Sequence, residues 1–320
     1  MKRKFLSMLT IVMFALSTTV CAQLNVQQDS DRVVASTEDI HFYTSEWEGE
    51  RYEDGRPLVS QDLIDRLGNL KVEDVWQFLN ERGYTNQFEG NWKAIFDDRP
   101  IVGRVLTAEF SPSRPDIEER LTQQGIEAGH IGPMNSWPID MLHEGDVYVA
   151  DNFGKIEQGT LIGGNLGNSI YSKSQRGVIF DGSIRDVEEL KRIDGFNALS
   201  RGWSPTFLEG VMLAGINVPI QIGSVTVFPG DVVLAKEIGA VFVPPHLVEE
   251  VVVTAEIVSL RDAFAQQRVR EGAYTTGQVD QRWSQEMEDD FLEWIQEGSR
   301  IDRLPVSIDV MQEYLQQRTW

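Results

Sequence analysis

Apolar residues recur along this chain with two different periods, and the switches between them mark out its elements. From Ser60, a suitable N-cap, Leu63, Leu67 and Leu70 fall at helical spacing, and Val72, Val75, Trp76 and Leu79 predict a second short helix. "PIVGRVLTAEF" (100–110) alternates as a strand does, and Pro112 and Pro115 follow as breakers. Residues 111–136, with "SPSRPD" and "GHIGPMNS", read as an inserted surface excursion. "EGDVYVAD" (144–151) is a turn feeding a strand, followed by a glycine-rich loop, "GTLIGGNLGNSI", and a helix through "YSKSQ". Gly177 is the expected helix stop, "VIFD" a buried strand, and Val187, Leu190 and Ile193 the apolar face of the next helix.

Strand, helix, strand and helix joined by short connections predict parallel α/β units. That order places both the glycine-rich loop and the pair Arg185-Asp186 at the carboxyl ends of strands, where ligand crevices of open α/β sheets form. Further on, "VTVFPGDVVLAK" reads as two strands around a Pro-Gly-Asp turn, and "GAVFVP" as another. Pro244-Pro245 opens a helix through Val248, Val251, Val252 and Ala255. The tail from about residue 261 is again helical, with Trp283, Met287 and Trp294 near one face. Residues 23–58 are polar and weakly periodic, a linker and N-terminal arm.

The first residues, "MKRKFLSMLTIVMFALSTTVCAQ", add an address. Three basic residues, a short apolar run and small residues at Val20 and Ala22 predict a signal peptide cleaved after Ala22, and hence a periplasmic or secreted protein. Cleavage removes Cys21, the chain's one cysteine, so disulfides and thiolate metal sites are excluded from the mature form. No later stretch is apolar enough to predict a membrane-spanning segment there. The formal charge is −21, and cleavage leaves 26 of the 29 basic residues against all 50 acids. So acidic a chain, without a basic cluster, predicts no nucleic-acid partner.

Familiar catalytic motifs are missing: no G-x-S-x-G elbow, no Walker loop, no G-x-G-x-x-G. His41, His130, His143 and His246 lack metal-pair spacing and read as surface or core residues. Ser183 and Asp186 fit S-x-x-D, a helix-capping box, which is the bland reading of Asp186. Arg185 resists that reading, because a cation in a first helical turn opposes the helix dipole, whereas an anionic ligand there would ask for it. "GGNL" (163–166) offers close backbone approach and free N–H groups to an anion, or else a plain turn with Asn165 as N-cap.

Together, "GGNL", "VIFDGSIRDVEEL" and "GSVTVFPGDVV…GAVFVP" resemble the RraA-like family, which holds regulators of ribonuclease activity and class II 4-hydroxy-4-methyl-2-oxoglutarate aldolases. The resemblance implies an α/β fold, a swivelling β/β/α domain over 59–260, with a helical C-terminal extension over 261–320. It implies a homotrimer or homohexamer with sites at subunit contacts. By the same resemblance, Gly163, Gly164, Asn165 and Leu166 hold a substrate carboxylate, Arg185 contacts the keto acid and its enolate, and Asp186 holds magnesium or manganese. Aldolase members of the family usually carry an acid twenty-one residues before the arginine. That register falls on Gly164, beside Asn165, and neither can act as a base. Where many relatives have an acidic turn after the second GDV strand, this chain has Lys236 and Glu237. The expected activity is an exported metal-dependent lyase that cleaves a 4-hydroxy-2-oxo acid or decarboxylates a β-keto acid such as oxaloacetate. The alternative is a non-catalytic binder of a keto acid or partner that has lost the proton-transfer acid.

Overall fold

The computed structural model describes residues 31–297 and, beyond them, 300, 304, 306–308, 310 and 311. The expected signal peptide and the first part of the linker lie outside these residues. The order begins with α1 (Thr37–Tyr43), α2 (Gln61–Gly68), α3 (Val72–Glu81), the short strands β1 (Phe88–Glu89) and β2 (Lys93–Ala94), and the long β3 (Ile101–Pro112). Then come α4 (Pro115–Glu127), the single turn α5 (Trp137–Asp140), β4 (Asp146–Ile162), α6 (Gly164–Ser174), β5 (Val178–Ile184), α7 (Val187–Leu190) and β6 (Ala198–Trp203). Strands β7 (Val211–Ile216), β8 (Ile220–Ile222), β9 (Val225–Val227), β10 (Val232–Lys236) and β11 (Gly239–Val243) follow. Helices α8 (Val248–Glu271), α9 (Thr276–Val279) and α10 (Gln285–Gln296) come last.

The main sheet runs β1–β11–β10–β3–β4–β5–β6–β2, with β7 paired to the far part of β3. Strands β3 to β6 are parallel neighbours, as the strand–helix alternation predicts. The two-residue period of these strands divides the core between two faces. Leu106, Ala108, Phe110, Tyr148, Ala150 and Phe180 pack against Trp137, Ile170 and Leu190 of the helical layer. Val105, Val147, Val149, Ile179 and Leu199 point the other way, onto the β8–β9 hairpin. Helices on one face and a small second sheet on the other give the β/β/α layering expected. At the β10–β11 end, α2, α3 and α8 bury Leu67, Val75, Leu79, Val251 and Val252 against Leu234 and Val241.

Three expectations change in detail. Pro115 is not a breaker: β3 continues through Pro112, and Pro115 opens α4 within the excursion at 111–136, where its missing N–H is not needed. Gly177 does not stop α6. The helix ends at Ser174, capped by Gln175 in the left-handed region, while a Cβ at Gly177 would lie 2.1 Å from the Asn197 carbonyl oxygen. The helix expected through Ile193 is the single turn α7, closed by turns leading to Gly195 (φ +83°), where a Cβ would fall 1.9 Å from Tyr171 Oη. Over its described residues the tail is helical, as expected. Phe264 of α8 gathers Trp283, Phe291 and Trp294, with ring centroids 5.3, 5.4 and 5.8 Å away. Helix α8 runs unbroken through residues 260 and 261. Among the described residues no helix is long and apolar enough to cross a membrane.

The N-terminal arm is fixed by charge. Arg56 and Asp146 are 1% and 0% exposed, and Arg56 Nη1 lies 2.9 Å from Asp146 Oδ2 while its Nε donates to Asp54 at 2.7 Å. Asp146 begins β4, so the pair ties the arm to the strand that carries the site. Removing one partner strands the other charge in the core, a loss of about 3–5 kcal/mol. Arg56→Ala should therefore lower unfolding free energy by about that amount in denaturant titration; a loss under about 1 kcal/mol would contradict a locked arm.

Candidate functional site

Strands β4 and β5 pair in parallel, with Thr160 opposite Ser183 and Ile162 opposite Ile184, so their carboxyl ends sit side by side. Strand β4 runs to Ile162, further than the predicted loop allowed, and Gly163, not Asn165, is the N-cap of α6. At the end of β5, Arg185 N–H donates to the Ile162 carbonyl at 3.1 Å. Asp186 then takes a left-handed backbone, φ 55° and ψ 38°. Few residues other than glycine adopt it, and aspartate is among those that do at modest strain.

That turn carries the Asp186 side chain onto α6. Its Oδ2 accepts the Gly164 N–H at 3.2 Å and lies 3.4 Å from Arg185 Nη1. A Cβ at Gly163 would sit 2.3 Å from this oxygen and 3.1 Å from Arg185 Nε, so glycine is what admits the pair. The capping box is absent. Ser183 is buried in β5 and donates to the Ile156 carbonyl at 2.7 Å, while Asp186, itself the N-cap of α7, makes no side-chain cap bond there. The carboxylate serves the neighbouring helix instead of its own.

The first amides of α6 form the floor. Gly164 N–H is taken by Asp186, while Asn165 and Leu166 N–H find no acceptor among the described residues. Free N–H groups at the positive end of an eleven-residue helix favour an anion. The Asn165 side chain is exposed, and Leu166 is half-buried against the helical-face core. The Arg185 side chain is 34% exposed and lies over the ring of Phe207, 5.0 Å from its centroid. Phe207 itself is 64% exposed, on a loop held to β4 by Gln158 N–H donating to Thr206 Oγ1 at 2.7 Å.

Sequence reasoning passed over Phe207, whose only signal is an aromatic in the turn-rich "WSPTFLEG". It also passed over Glu189. A Cβ at Gly164 would meet Glu189 Oε2 at 2.1 Å, so a second carboxylate stands beside the glycine pair. Lys236 and Glu237 lie at the β10–β11 turn, where Lys236 Nζ donates to the Leu70 carbonyl at 2.6 Å. The histidines are dispersed. His130 bonds Asp31 at 2.6 Å, His143 stacks on Tyr52, His246 meets Tyr84 Oη at 3.3 Å, and His41 is exposed. Burial holds His246 below the usual imidazole range.

No cluster of three or more His, Cys, Asp or Glu side chains suited to a cation is assembled among the described residues. A hard divalent cation that keeps most of its waters needs only one or two carboxylates. Asp186 fits that demand: it is 33% exposed, and its Oδ1 accepts nothing among the described residues. Magnesium or manganese is thus compatible with this donor set.

A family model described as RraA-like, Aldolase/RraA, matches residues 61–242. A protein of Albidiferax ferrireducens, provisionally named a 4-hydroxy-4-methyl-2-oxoglutarate aldolase, is 37% identical over 151 residues, 47% of this chain and 80% of that protein. The 4-hydroxy-4-methyl-2-oxoglutarate aldolase of Thermus thermophilus is 34% identical over 101 residues, 31% of this chain and 60% of that relative, less than two thirds of its length. Among solved structures, Streptomyces coelicolor RraAS2, described as an unusual member of the RNase ES inhibitor RraA family, superposes with a TM-score of 0.57 at 24% identity. It covers 68% of this chain and 100% of that structure. An uncharacterized protein of Pseudomonas syringae gives 0.58 at 21% identity, covering 73% and 98%. At such identities these superpositions speak for the fold alone. The matched segment contains both strand-end turns, and the chain belongs to the RraA-like family.

Proposed function

We propose that this protein is an exported, divalent-metal-dependent lyase of the pyruvate-aldolase type. Its substrate would be a 4-hydroxy-2-oxo acid, or a β-keto acid such as oxaloacetate that it decarboxylates. The observation that carries the reading is the convergence of free α6 amides, Arg185 and Asp186 on Gly163 and Gly164. The names of the Albidiferax and Thermus relatives support it.

In this reading the substrate carboxylate lies against the N–H groups of Asn165 and Leu166. Arg185 faces the keto oxygen, where negative charge develops as the C3–C4 bond breaks and its electron pair passes into a pyruvate enolate. A guanidinium fixed in advance at that oxygen stabilises the transition state more than the ground state. A cation held through Asp186 would add Lewis-acid polarisation of the same oxygen. The C4 hydroxyl loses its proton as it becomes the carbonyl of the leaving product, and C3 later takes one up. Gly164 has no side chain to move that proton, which favours the alternative, a binding protein of the same specificity. Family resemblance also supports assembly in threes, and the N-terminal pattern supports export.

Pyruvate release from 4-hydroxy-2-oxo acids and oxaloacetate, with magnesium or manganese added, tests the reading. Arg185→Ala should lower turnover about 10²–10³-fold, the scale of a lost oxyanion donor; unchanged turnover would contradict its role. Asp186→Asn should weaken manganese binding about tenfold or more and shift stability by about 1 kcal/mol or less. Unaltered manganese affinity in that variant would remove the metal from the account. Light scattering should give a trimer or a multiple of three, and a monomer at micromolar concentration would contradict the shared-site assembly.

A further inference from the structure

We infer that Glu189 is the proton-carrying catalytic carboxylate of this site, supplied from α7 because residue 164 offers none. This rests on the lyase reading above. The direct observation is steric. A side chain at residue 164 would put its Cβ 2.1 Å from Glu189 Oε2 and 3.2 Å from Glu189 Cβ, so the carboxylate lies where that side chain would begin. A carboxylate on α6 at 164 and Glu189 as it stands exclude one another. This chain has glycine at 164 and the carboxylate on the facing turn.

The placement of Glu189 is built, not incidental. Its N–H donates to the Asp186 carbonyl at 2.9 Å, which sets its direction relative to Asp186. The next residue, Leu190, is fully buried, and a Cβ at Gly167 would lie 2.2 Å from its Cδ2. Gly164 and Gly167, one turn apart on α6, thus seat Glu189 and Leu190 of α7, and the apolar contact holds the backbone from which Glu189 projects. Among the described residues the Glu189 carboxylate has no hydrogen bond or ion pair of its own. Asp186, by contrast, accepts the Gly164 N–H and lies 3.4 Å from Arg185 Nη1.

Glu189, directly or through one water, takes the proton of the substrate C4 hydroxyl. The C3–C4 bond breaks, its electrons form the pyruvate enolate, and the C4 carbonyl product leaves. Glu189 then returns the proton to C3 of the enolate, yielding pyruvate and restoring the carboxylate. No oxidant or further reactant is required. General acid–base transfer of this kind contributes about 10²–10⁴-fold.

The test uses the intact protein with manganese, oxalate, pyruvate in deuterated water, and oxaloacetate or a 4-hydroxy-2-oxo acid. Glu189→Gln is nearly isosteric at an exposed position. It should leave manganese and oxalate dissociation constants within about twofold while slowing aldol cleavage, and exchange of pyruvate methyl protons for deuterium, about 10²-fold or more. Gly164→Ala, whose Cβ would lie 2.1 Å from Glu189 Oε2 and 3.2 Å from Glu189 Cβ, should displace the carboxylate and slow the same exchange while circular dichroism shows the protein still folded. Combined with Glu189→Gln it should add little further loss, because the two changes act on one group. Gly164→Asp in a Glu189→Ala background, restoring a carboxylate from the other helix, should recover at least tenfold of the lost exchange. Full exchange and cleavage in Glu189→Gln would overturn the role of Glu189 and leave the lyase standing. A loss of manganese affinity in Glu189→Gln matching that of Asp186→Asn would make it a metal ligand instead, and overturn the inference. A wild-type protein that binds oxalate yet neither cleaves nor exchanges would overturn both readings.

Discussion

Two consecutive residues without side chains allow two β–α turns to close on one another. Parallel pairing of β4 and β5 brings the turns together, but a Cβ at Gly163 would strike the Asp186 carboxylate and one at Gly164 the Glu189 carboxylate. With glycine at both, Asp186 can reach the Gly164 N–H, and α7 can lie against α6 at Gly167 and Leu190. Beyond them, the N–H groups of Asn165 and Leu166 find no acceptor among the described residues. A helix end, a guanidinium and two carboxylates thereby share a small volume, with opposite charges interleaved rather than massed. Free helix amides and a guanidinium at one strand end favour an anion, which no need of the fold explains.

The scaffold spends its rigidity around that contact. Four parallel strands are covered on one face by helices and on the other by the β8–β9 hairpin, so the strand ends cannot shift independently. The buried Arg56–Asp146 pair holds the arm to the start of β4, and the Phe207 loop is fastened to the later part of the same strand. The left-handed backbone of Asp186 is locally unfavourable and gains no helix cap in return. Strain that helix formation does not explain is expected where a side chain must be aimed at a ligand.

Much of the parallel core was legible because its strands are apolar runs broken by glycine and proline. Arg185 stood out as a cation in a first helical turn, but it precedes the Asp186 N-cap of α7 and lies at the strand end instead. The family could be read from "DGSIRD" and "VFPGDVV", and the matched segment agrees. What failed did so for tertiary reasons. Pro115 looks like a breaker in one dimension and is a helix opener once β3 is seen to continue. S-x-x-D predicts a capping box locally, but pairing of β5 buries Ser183 in the sheet. Glu189 was invisible for a different reason. In the sequence it is one acid of "DVEEL", and only the approach of α7 to a residue twenty-five positions earlier gives it a place.

The central claim is that the α6 amides, Arg185 and Asp186 form one site for a keto-acid dianion and a divalent cation. A crystal structure of the protein with manganese and oxalate, using anomalous scattering to find the metal, tests it most directly. The account predicts a manganese peak beside Asp186, with oxalate between it, Arg185 and the N–H groups of Asn165 and Leu166. Manganese and oxalate bound elsewhere, or absent from this turn at saturating concentration, would contradict it.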